Sequence, residues 1–206
     1  MAAHQPQGTS AFWDRRYLEP GWAYGAEPNE FLAAEAHSLP MGEVLCLAEG
    51  EGRNAVHLAQ RGYRIEAVDQ SAAGLAKAQT LATQRGVSIH TTVADLATFD
   101  PGLLRWQGIV SIFVHLPAPL RRDVHRRMVK ALAPGGVLLL EAYAPAQLEL
   151  GTGGPKERER LCRLEELAED FAGLEPLISH ELRREVHEGK YHDGMGAVLQ
   201  FLARKP

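Results

Sequence analysis

Three shortages in the sequence exclude whole classes of protein. Cys46 and Cys162 are the two cysteines among 206 residues, too few for a disulfide framework. No apolar run approaches the roughly 20 residues of a membrane-spanning helix, and the N-terminus lacks the basic and apolar regions of a secretion signal. The formal net charge of −4 argues against an extended nucleic-acid surface, which needs clustered lysine and arginine. We therefore expect a cytoplasmic protein with reduced cysteines and with neither a membrane nor a nucleic acid as partner.

The composition is that of one globular domain with a short N-terminal extension. With 45% hydrophobic and 23% charged residues, the chain can bury a core without a disulfide or a metal ion. Residues 1–10 are small and polar and are expected to be loose, whereas residues 11–30 are rich in aromatics. These aromatics include Trp13, Tyr17, Trp22 and Tyr24. We predict a lid or strap over residues 1–30 and the main domain over residues 31–206.

Short apolar runs alternate with helical patterns from residue 43 to residue 145. The strand patterns read EVLCLA, YRIEAVD, VSIHTTVAD, GIVSIFVHL and VLLLEAYAP. The helix patterns between them read AVHLAQRG, SAAGLAKAQTLATQRG and PAPLRRDVHRRMVKALAPGG. This order predicts an α/β fold with a doubly wound, mostly parallel sheet. A helical RLEELAEDFAGL follows, and LISHELRREVHEG with AVLQFLAR then predicts an antiparallel C-terminal hairpin.

Helix boundaries are marked by residues with known positional preferences. Pro28 is expected in the first turn of the helix NEFLAAEAHSL, and Ser71 as the N-cap of the second helix of the alternating region. Gly62 and Gly86 are expected to end two helices, and Pro134 with the two glycines after it to end the next. The basic run over residues 121–130 is interpreted as a solvated helix face.

The segment VLCLAEGEGRNA, residues 44–55, places Gly50 and Gly52 between a strand and a helix. Glycine there permits either a tight turn without a ligand or close approach of a ligand to the backbone. Asp69, at the end of the second strand, favours the ligand, because a carboxylate at that point can accept hydrogen bonds from ribose hydroxyls. Glu49 and Glu51 would repel a pyrophosphate at the helix N-terminus, so they favour a positively charged ligand such as S-adenosylmethionine.

One alternative function and the role of one residue stay open at this point. A nicotinamide-dependent oxidoreductase also uses a glycine loop and an acidic residue, but the glutamates and the terminal hairpin oppose it. Asp95 ends the third strand, where it can either meet an adenine amino group or act as an N-cap or turn residue.

The chain resembles class I methyltransferases over most of its length, and within them the tellurite-resistance group. The resemblance is carried by FWDRRY, YGAEPNEFL, LAEGEGRNAVHLA, AVDQSAAGLAKA, VADL, SIFVHLP, LAPGGVLLLEAY and REVHEGKYHDG. It implies a seven-stranded sheet with a reversed final strand, and S-adenosylmethionine as cofactor. The implied cofactor contacts are Glu49, Gly50, Glu51, Gly52, Asn54, Asp69, Gln70, Asp95, Leu96, Ser111 and Phe113.

The sequence departs from the family pattern at Cys46 and Ala48. The family has an acidic residue where Cys46 stands and a glycine where Ala48 stands. The acidic residue helps to order the loop or the methionine end of the cofactor. These departures keep open a degenerate protein of this fold that binds S-adenosylmethionine or a partner without catalysis.

Methyl transfer from a sulfonium requires alignment of donor and acceptor more than a catalytic side chain. His115 is the first candidate for a base, with a helix-capping loop histidine as the alternative. Tyr143 is a second candidate, or else a tyrosine at the core rim. Arg184 and His187, with His192, offer a cationic cluster for an anionic acceptor, or else a solvated hairpin.

The aromatic N-terminal segment is the candidate lid. Trp13, Tyr17 and Tyr24 can exclude water and contact the sulfonium by cation–π attraction, or form an ordinary hydrophobic strap.

The expected partner is a small-molecule methyl acceptor. The resemblance suggests a sulfur, selenium or tellurium compound, while an RNA or protein acceptor lacks a basic extension to support it. We expect no metal site, because no histidine pair has helical spacing with an acidic partner, and we expect a monomer or homodimer.

Overall fold

The computed structural model describes residues 8–206, in which one seven-stranded sheet carries helices on both faces. The strands are β1 (Glu43–Leu47), β2 (Arg64–Asp69), β3 (His90–Val93), β4 (Trp106–Ile112), β5 (Leu132–Tyr143), β6 (Glu175–His187) and β7 (Asp193–Arg204). The helices are α1 (Ser10–Tyr17), α2 (Glu30–Glu35), α3 (Arg53–Gln60), α4 (Ala72–Gln84), α5 (Ala118–Ala131) and α6 (Leu164–Asp170). Short 3-10 turns cover Ala36–Ser38, Pro145–Glu149 and Arg158–Arg160.

The strand order is β3-β2-β1-β4-β5-β7-β6, which confirms the predicted doubly wound fold. Strands β1 to β5 pair in parallel, whereas β7 is antiparallel to both β5 and β6. The chain therefore ends in the predicted antiparallel hairpin, with its last strand reversed. The winding direction changes between β1 and β4, and ligands of open α/β sheets bind at the carboxyl ends of the strands at such a point.

Alternate residues of each central strand bury into two separate apolar layers. Val44 and Cys46 of β1 pack in the layer covered by α2, α3 and α4, while Leu45 and Leu47 pack in the layer covered by α5 and α6. Burial on both faces explains why these strands appear in the sequence as continuous apolar runs. Each fully buried leucine contributes about 1.5–3 kcal/mol, so the sheet is a rigid platform for its loops.

Most of the predicted helix boundaries are confirmed. The Ser71 hydroxyl caps α4 by accepting a hydrogen bond of 3.0 Å from Gly74 N. Gly62 and Gly86 follow the ends of α3 and α4 with φ values of 90° and 70°, a conformation that strongly favours glycine.

The predicted boundaries are wrong at three places. Pro28 lies outside α2, because Asn29 is the N-cap and its side chain accepts from Leu32 N at 2.9 Å. Strand β5 begins at Leu132, ahead of the glycines expected to separate it from the helix. Thr9 caps α1, so the segment expected to be loose is helical from Ser10; residues 1–7 lie outside the described part.

A buried carboxylate, Glu141, ties the C-terminal hairpin to the rest of the sheet. It is fully buried on β5 and accepts from Asn29 Nδ2 at 2.8 Å and from Gln200 Nε2 at 2.6 Å. The Arg184 guanidinium on β6 donates to both of its oxygens. Glu141 thus has a counter-ion and two neutral donors, as a buried charge requires.

We expect Glu141→Gln to lower the free energy of unfolding by about 3 kcal/mol, because it places a neutral amide among donors and removes one of the carboxylates that balance the charge of Arg184. Glu181→Gln, at an exposed position of β6, is the matched control and should change stability by less than about 0.5 kcal/mol. Urea denaturation of both variants measures the difference. Equal stabilities of the two variants would contradict this role of Glu141.

Candidate functional site

A cavity of about 1200 Å³ opens at the carboxyl ends of the parallel strands. Its wall includes the loops after β1, β2, β3 and β4, the N-terminal segment, and the turn between β6 and β7. Typical small-molecule sites measure roughly 300–1,000 Å³, so this space can hold a nucleoside-sized ligand together with a second small molecule.

The loop after β1 is held by its own glutamate. Glu49 Oε1 accepts from the backbone N of Asn54 at 3.0 Å and of Ala55 at 2.8 Å, two donors at the N-terminus of α3. Gly52 has φ 88°, and a Cβ there would lie 2.5 Å from Cβ of Ala78 on α4. The loop therefore needs a glycine for its packing, while Glu49 supplies the helix cap that the sequence argument did not foresee.

Asp69 ends β2 on the cavity wall, as predicted. Its Oδ2 accepts from Gly50 N at 2.9 Å and its Oδ1 from Ser71 N at 2.7 Å, so the carboxylate joins the two loops. Each carboxylate oxygen keeps a second lone pair for a ligand hydroxyl. Burial raises the pKa of Asp69 to about 6, and burial likewise raises the pKa of Glu49 to about 7.

The N-terminal segment is fastened over this loop by two acidic side chains and one amide. Glu51 accepts from Ala23 N at 2.8 Å and from Lys77 Nζ at 2.7 Å. Asp14 accepts from the Ser71 hydroxyl at 2.5 Å, and Gln70 donates to the carbonyl of Gly8. Residues of the described part of the predicted strap therefore form part of the cavity wall.

Three aromatic rings of this segment form part of the cavity wall. Tyr17 lies directly on Gly50, where a Cβ would come within 2.5 Å of its hydroxyl. Trp13 stacks on Tyr17 with ring centroids 5.8 Å apart, and Tyr24 lies 6.4 Å from both. Trp22 lies away from the wall, against Lys77.

Most of the predicted cofactor contacts meet at the cavity. Those on its wall are Tyr24, Glu49, Glu51, Asn54, Asp69, Gln70, Asp95, Leu96 and Phe113. Asp95 also has the turn role that was the alternative, because its Oδ1 accepts from Ala97 N at 2.8 Å. Asn54 Oδ1 accepts from Asn29 N, which fixes the entry to α2.

Three predicted cofactor contacts do not line the cavity. Gly50 is covered by Tyr17, and Gly52 faces α4. Ser111 is buried within β4, between β1 and β5. The glycines shape the loop from behind, so their contribution is backbone geometry.

His115 lies on the cavity wall, but its hydrogen bonding does not suit a base. Its Nε2 accepts from Tyr143 N at 3.0 Å, so the lone pair that would take a proton is already in use. Burial lowers the pKa of His115 to about 4, which keeps the ring neutral. The candidate base is therefore corrected to a residue that fixes the loop after β4 against β5.

The other three predicted catalytic residues lie off the cavity wall. Tyr143 is fully buried behind Gly153 and stacks on Phe113 with centroids 4.5 Å apart. Arg184 pairs with the buried carboxylates Glu141 and Glu188. His187 is 64% exposed in its side chain and bonds Asp193 at 2.7 Å. Arg184 is structural and His187 solvated, which corrects the predicted cationic cluster.

Arg53 and His192 take the place of those two residues on the cavity wall. Arg53 Nη2 donates to Glu188, while its Nη1 and the Nδ1 of His192 are buried without a hydrogen-bond partner among residues 8–206. His192 was noted in the sequence, but Arg53 was read only as part of the EGEGRN motif. Its partner is 135 positions away in the chain, and no local pattern indicates such a pair.

Ala48, one of the departures from the family pattern, adopts a left-handed backbone with φ 47°. This conformation costs an alanine roughly 1–2 kcal/mol relative to glycine, because its Cβ approaches the following carbonyl. Cys46 is fully buried in β1 and belongs to the apolar layer under α3. The two departures therefore act differently, one as backbone strain and one as ordinary core packing.

Within residues 8–206, no cluster of three or more histidine, cysteine, aspartate or glutamate side chains has the arrangement of a metal site. In the same range, every helix is too short or too polar to cross a membrane.

We expect Ala48→Gly to raise the free energy of unfolding by about 0.5–1 kcal/mol, since relief of strain exceeds the added freedom of the unfolded chain. The thermal midpoint should rise by roughly 1–4 °C for a chain of this length. Ala67→Gly, in the interior of β2, is the control and should lower it. A lower midpoint for Ala48→Gly would show that the left-handed backbone carries no strain.

Burial of Glu49 predicts a pH-dependent stability difference. A carboxyl whose folded pKa is raised to about 7 destabilises the folded state when ionised, and this penalty fades as the pH falls towards 5. Glu49→Gln keeps an acceptor but cannot ionise, so its stability relative to the parent protein should be about 2–3 kcal/mol greater at pH 8 than at pH 5. Denaturant titrations at both pH values measure this; a constant difference would refute the raised pKa.

The geometry can now be compared with known proteins. A family described as Methyltransferase domain matches residues 44–136, from β1 into β5. The 2-heptyl-1-hydroxyquinolin-4(1H)-one methyltransferase of Mycobacteroides abscessus is 28% identical over 139 residues, which are 66% of this chain and 61% of that relative. The chain thus spans about three fifths of the length of this curated relative.

Solved structures share the fold over almost the whole chain. One was solved in work on the conversion of a disulfide bond into a thioacetal group during echinomycin biosynthesis. It has a TM-score of 0.73 at 21% identity, and the match covers 95% of this chain and 91% of that one. TehB from Haemophilus influenzae has a TM-score of 0.70 at 20% identity, covering 96% and 67%. Identities this low show the fold alone. The comparisons thus show a chain whose residues 44–136 match a methyltransferase domain family and whose seven-stranded α/β fold is shared with these structures.

Proposed function

We propose that the protein is an S-adenosylmethionine-dependent methyltransferase that acts on a small molecule. The observation that carries this proposal is the acidic strand-end side of the cavity, where Glu49, Glu51, Asp69 and Asp95 meet. A dinucleotide would bring a pyrophosphate to these carboxylates at the start of α3 and would be repelled. A ligand with a sulfonium, an ammonium and no phosphate suits them.

Different residues of this side are assigned to different parts of the cofactor. The ribose is assigned to Asp69, whose oxygens have lone pairs to spare beyond their two backbone donors. The adenine is assigned to the space beside Asp95 and Leu96, which lie on the wall just after β3. When bound, the cofactor supplies a methyl group on a positively charged sulfur.

The protein's contribution to the reaction is positioning and exclusion of water. The rigid loops after β1, β2 and β4 fix the ligands, which can be worth roughly 7–11 kcal/mol of the barrier. His115 adds no base, because its Nε2 is engaged by Tyr143 N. The strap over residues 1–30 is proposed to act as the lid, with Trp13 and Tyr24 able to contact the sulfonium.

The acceptor is proposed to occupy the far side of the cavity. A curated relative acts on a hydroxyquinolone, which supports a small-molecule acceptor and favours an enzyme over a degenerate protein without catalysis. A sulfur, selenium or tellurium acceptor rests on the resemblance of the sequence to the tellurite-resistance group. A monomer or homodimer is compatible with a cavity whose described wall comes from one chain.

Calorimetric titration with S-adenosylmethionine tests the cofactor. We expect binding that Asp69→Asn weakens roughly tenfold or more, because a hydrogen bond to a charged group is worth about 1.5–3 kcal/mol. Asp123→Asn is the matched control, since Asp123 is largely exposed on α5 and off the cavity wall, and it should bind like the parent protein. NADH binding in place of S-adenosylmethionine would contradict the proposal, as would equal weakening by both variants.

A further inference from the structure

The cavity is lined by positive as well as by negative charge. Its wall carries Arg16, Arg53, Lys156, Arg160 and Lys190. Arg16 and Lys190 have partners in the strap, Tyr24 and Glu19 respectively. The wall thus carries both charges, and a ligand beside these cations would meet an electrostatic environment that favours an anion.

Arg53 is a buried member of this group of basic residues. It is only 7% exposed, and Nη2 is bound by Glu188 while Nη1 has no hydrogen-bond partner. His192, also 7% exposed, has an unpartnered Nδ1. Buried polar atoms without partners are costly and uncommon in native proteins, so two on one cavity wall point to a ligand that completes them.

Aromatic rings surround the same corner. His192 lies 4.7 Å from Tyr24 and 4.7 Å from Phe113, measured between ring centroids. Phe113 has a left-handed backbone with φ 54°, a strained conformation of the kind that clusters at ligand sites. A flat ring placed against these side chains would gain stacking contacts that a small inorganic anion cannot make.

We propose that the methyl acceptor is an aromatic compound with an ionisable hydroxyl, bound as its oxyanion with the oxygen at Arg53 Nη1 and His192 Nδ1 and the ring against Phe113 and Tyr24. This inference rests on the proposed function and specifies its acceptor. The hydroxyl proton leaves to solvent before binding, so the site needs no base.

The chemical step balances without any further reactant. The oxyanion oxygen donates an electron pair to the methyl carbon, a carbon–oxygen bond forms and the carbon–sulfur bond breaks. The electron pair of the broken bond stays on sulfur, so one positive and one negative charge are both neutralised. Arg53 holds the oxyanion in line, and a neutral His192 can donate through Nδ1. Burial first, and Arg53 second, hold the pKa of His192 well below its usual range.

The test is a calorimetric comparison on the full chain saturated with S-adenosylhomocysteine. The probes are 4-nitrophenol, which ionises, and 4-nitroanisole, which has the same ring and no acidic proton; 1-hydroxyquinolin-4(1H)-one is a second ionising probe. We expect the ionising probes to bind at least about tenfold more tightly than 4-nitroanisole, the scale of one hydrogen bond to a charged group. Equal affinities, or selenite binding as tightly as the aromatic probes, would overturn the proposal.

Arg53→Met and Arg184→Met form a matched pair of variants. Both arginines donate to Glu188, but only Arg53 lies on the cavity wall. Arg53→Met should abolish the preference for the ionising probes, whereas Arg184→Met should keep it. Loss of the preference in both variants would overturn the assignment to Arg53.

His192→Phe provides a check that does not disturb the ion pairs, since it keeps a ring and removes Nδ1. It should reduce the preference severalfold while S-adenosylhomocysteine binding is unchanged, and an unaltered preference would remove His192 from the proposed site. Failure of the parent protein to bind S-adenosylhomocysteine would instead refute the proposed function, so the two failures are distinguishable.

Discussion

The cavity depends on one buried carboxylate, Glu188, at the turn between β6 and β7. It accepts from Arg53 at the start of α3, from Arg184 on β6 and from Asn29 before α2. Glu141 accepts from Arg184 and Asn29 in turn, so two arginines and two glutamates form a network of zero net charge. Burial of these ions is tolerable only because each is paired and hydrogen-bonded. The network fixes the C-terminal hairpin against the glycine loop, and it leaves one Arg53 nitrogen directed away from its partner.

The acidic side of the cavity is maintained at some cost to the folded protein. Burial raises the pKa of both Glu49 and Asp69, and Ala48 holds a left-handed backbone. Strain and buried charge of this kind persist where a packed scaffold over-determines the local geometry. The two apolar layers on either side of β1 provide that scaffold. A cationic ligand would offset this buried negative charge. The cofactor assigned to the site would therefore reduce the free-energy cost of burying the two carboxylates.

The sequence predicts the sheet well, because patterns local to each strand and helix determine it. The alternation of apolar runs with helical segments, and Asp69 after β2, needed no knowledge of distant residues. The residues around the acceptor end are different, since Arg53 and Arg184 meet the same glutamate and only packing decides which one faces the cavity. His115 was misjudged because the donor that occupies its Nε2, the backbone N of Tyr143, belongs to another strand. The helix α1 was missed because aromatic enrichment without clear periodicity gave no helix signal.

The central claim is that one cavity holds a cationic cofactor at its acidic loops and leaves the space beside Arg53 and His192 for the acceptor. A crystal structure of the protein with S-adenosylhomocysteine tests this most directly. The account predicts the ribose hydroxyls at Asp69, the adenine beside Leu96, and open space between the sulfur and Arg53. A nucleoside bound at the Arg53 end, with Asp69 untouched, would contradict it.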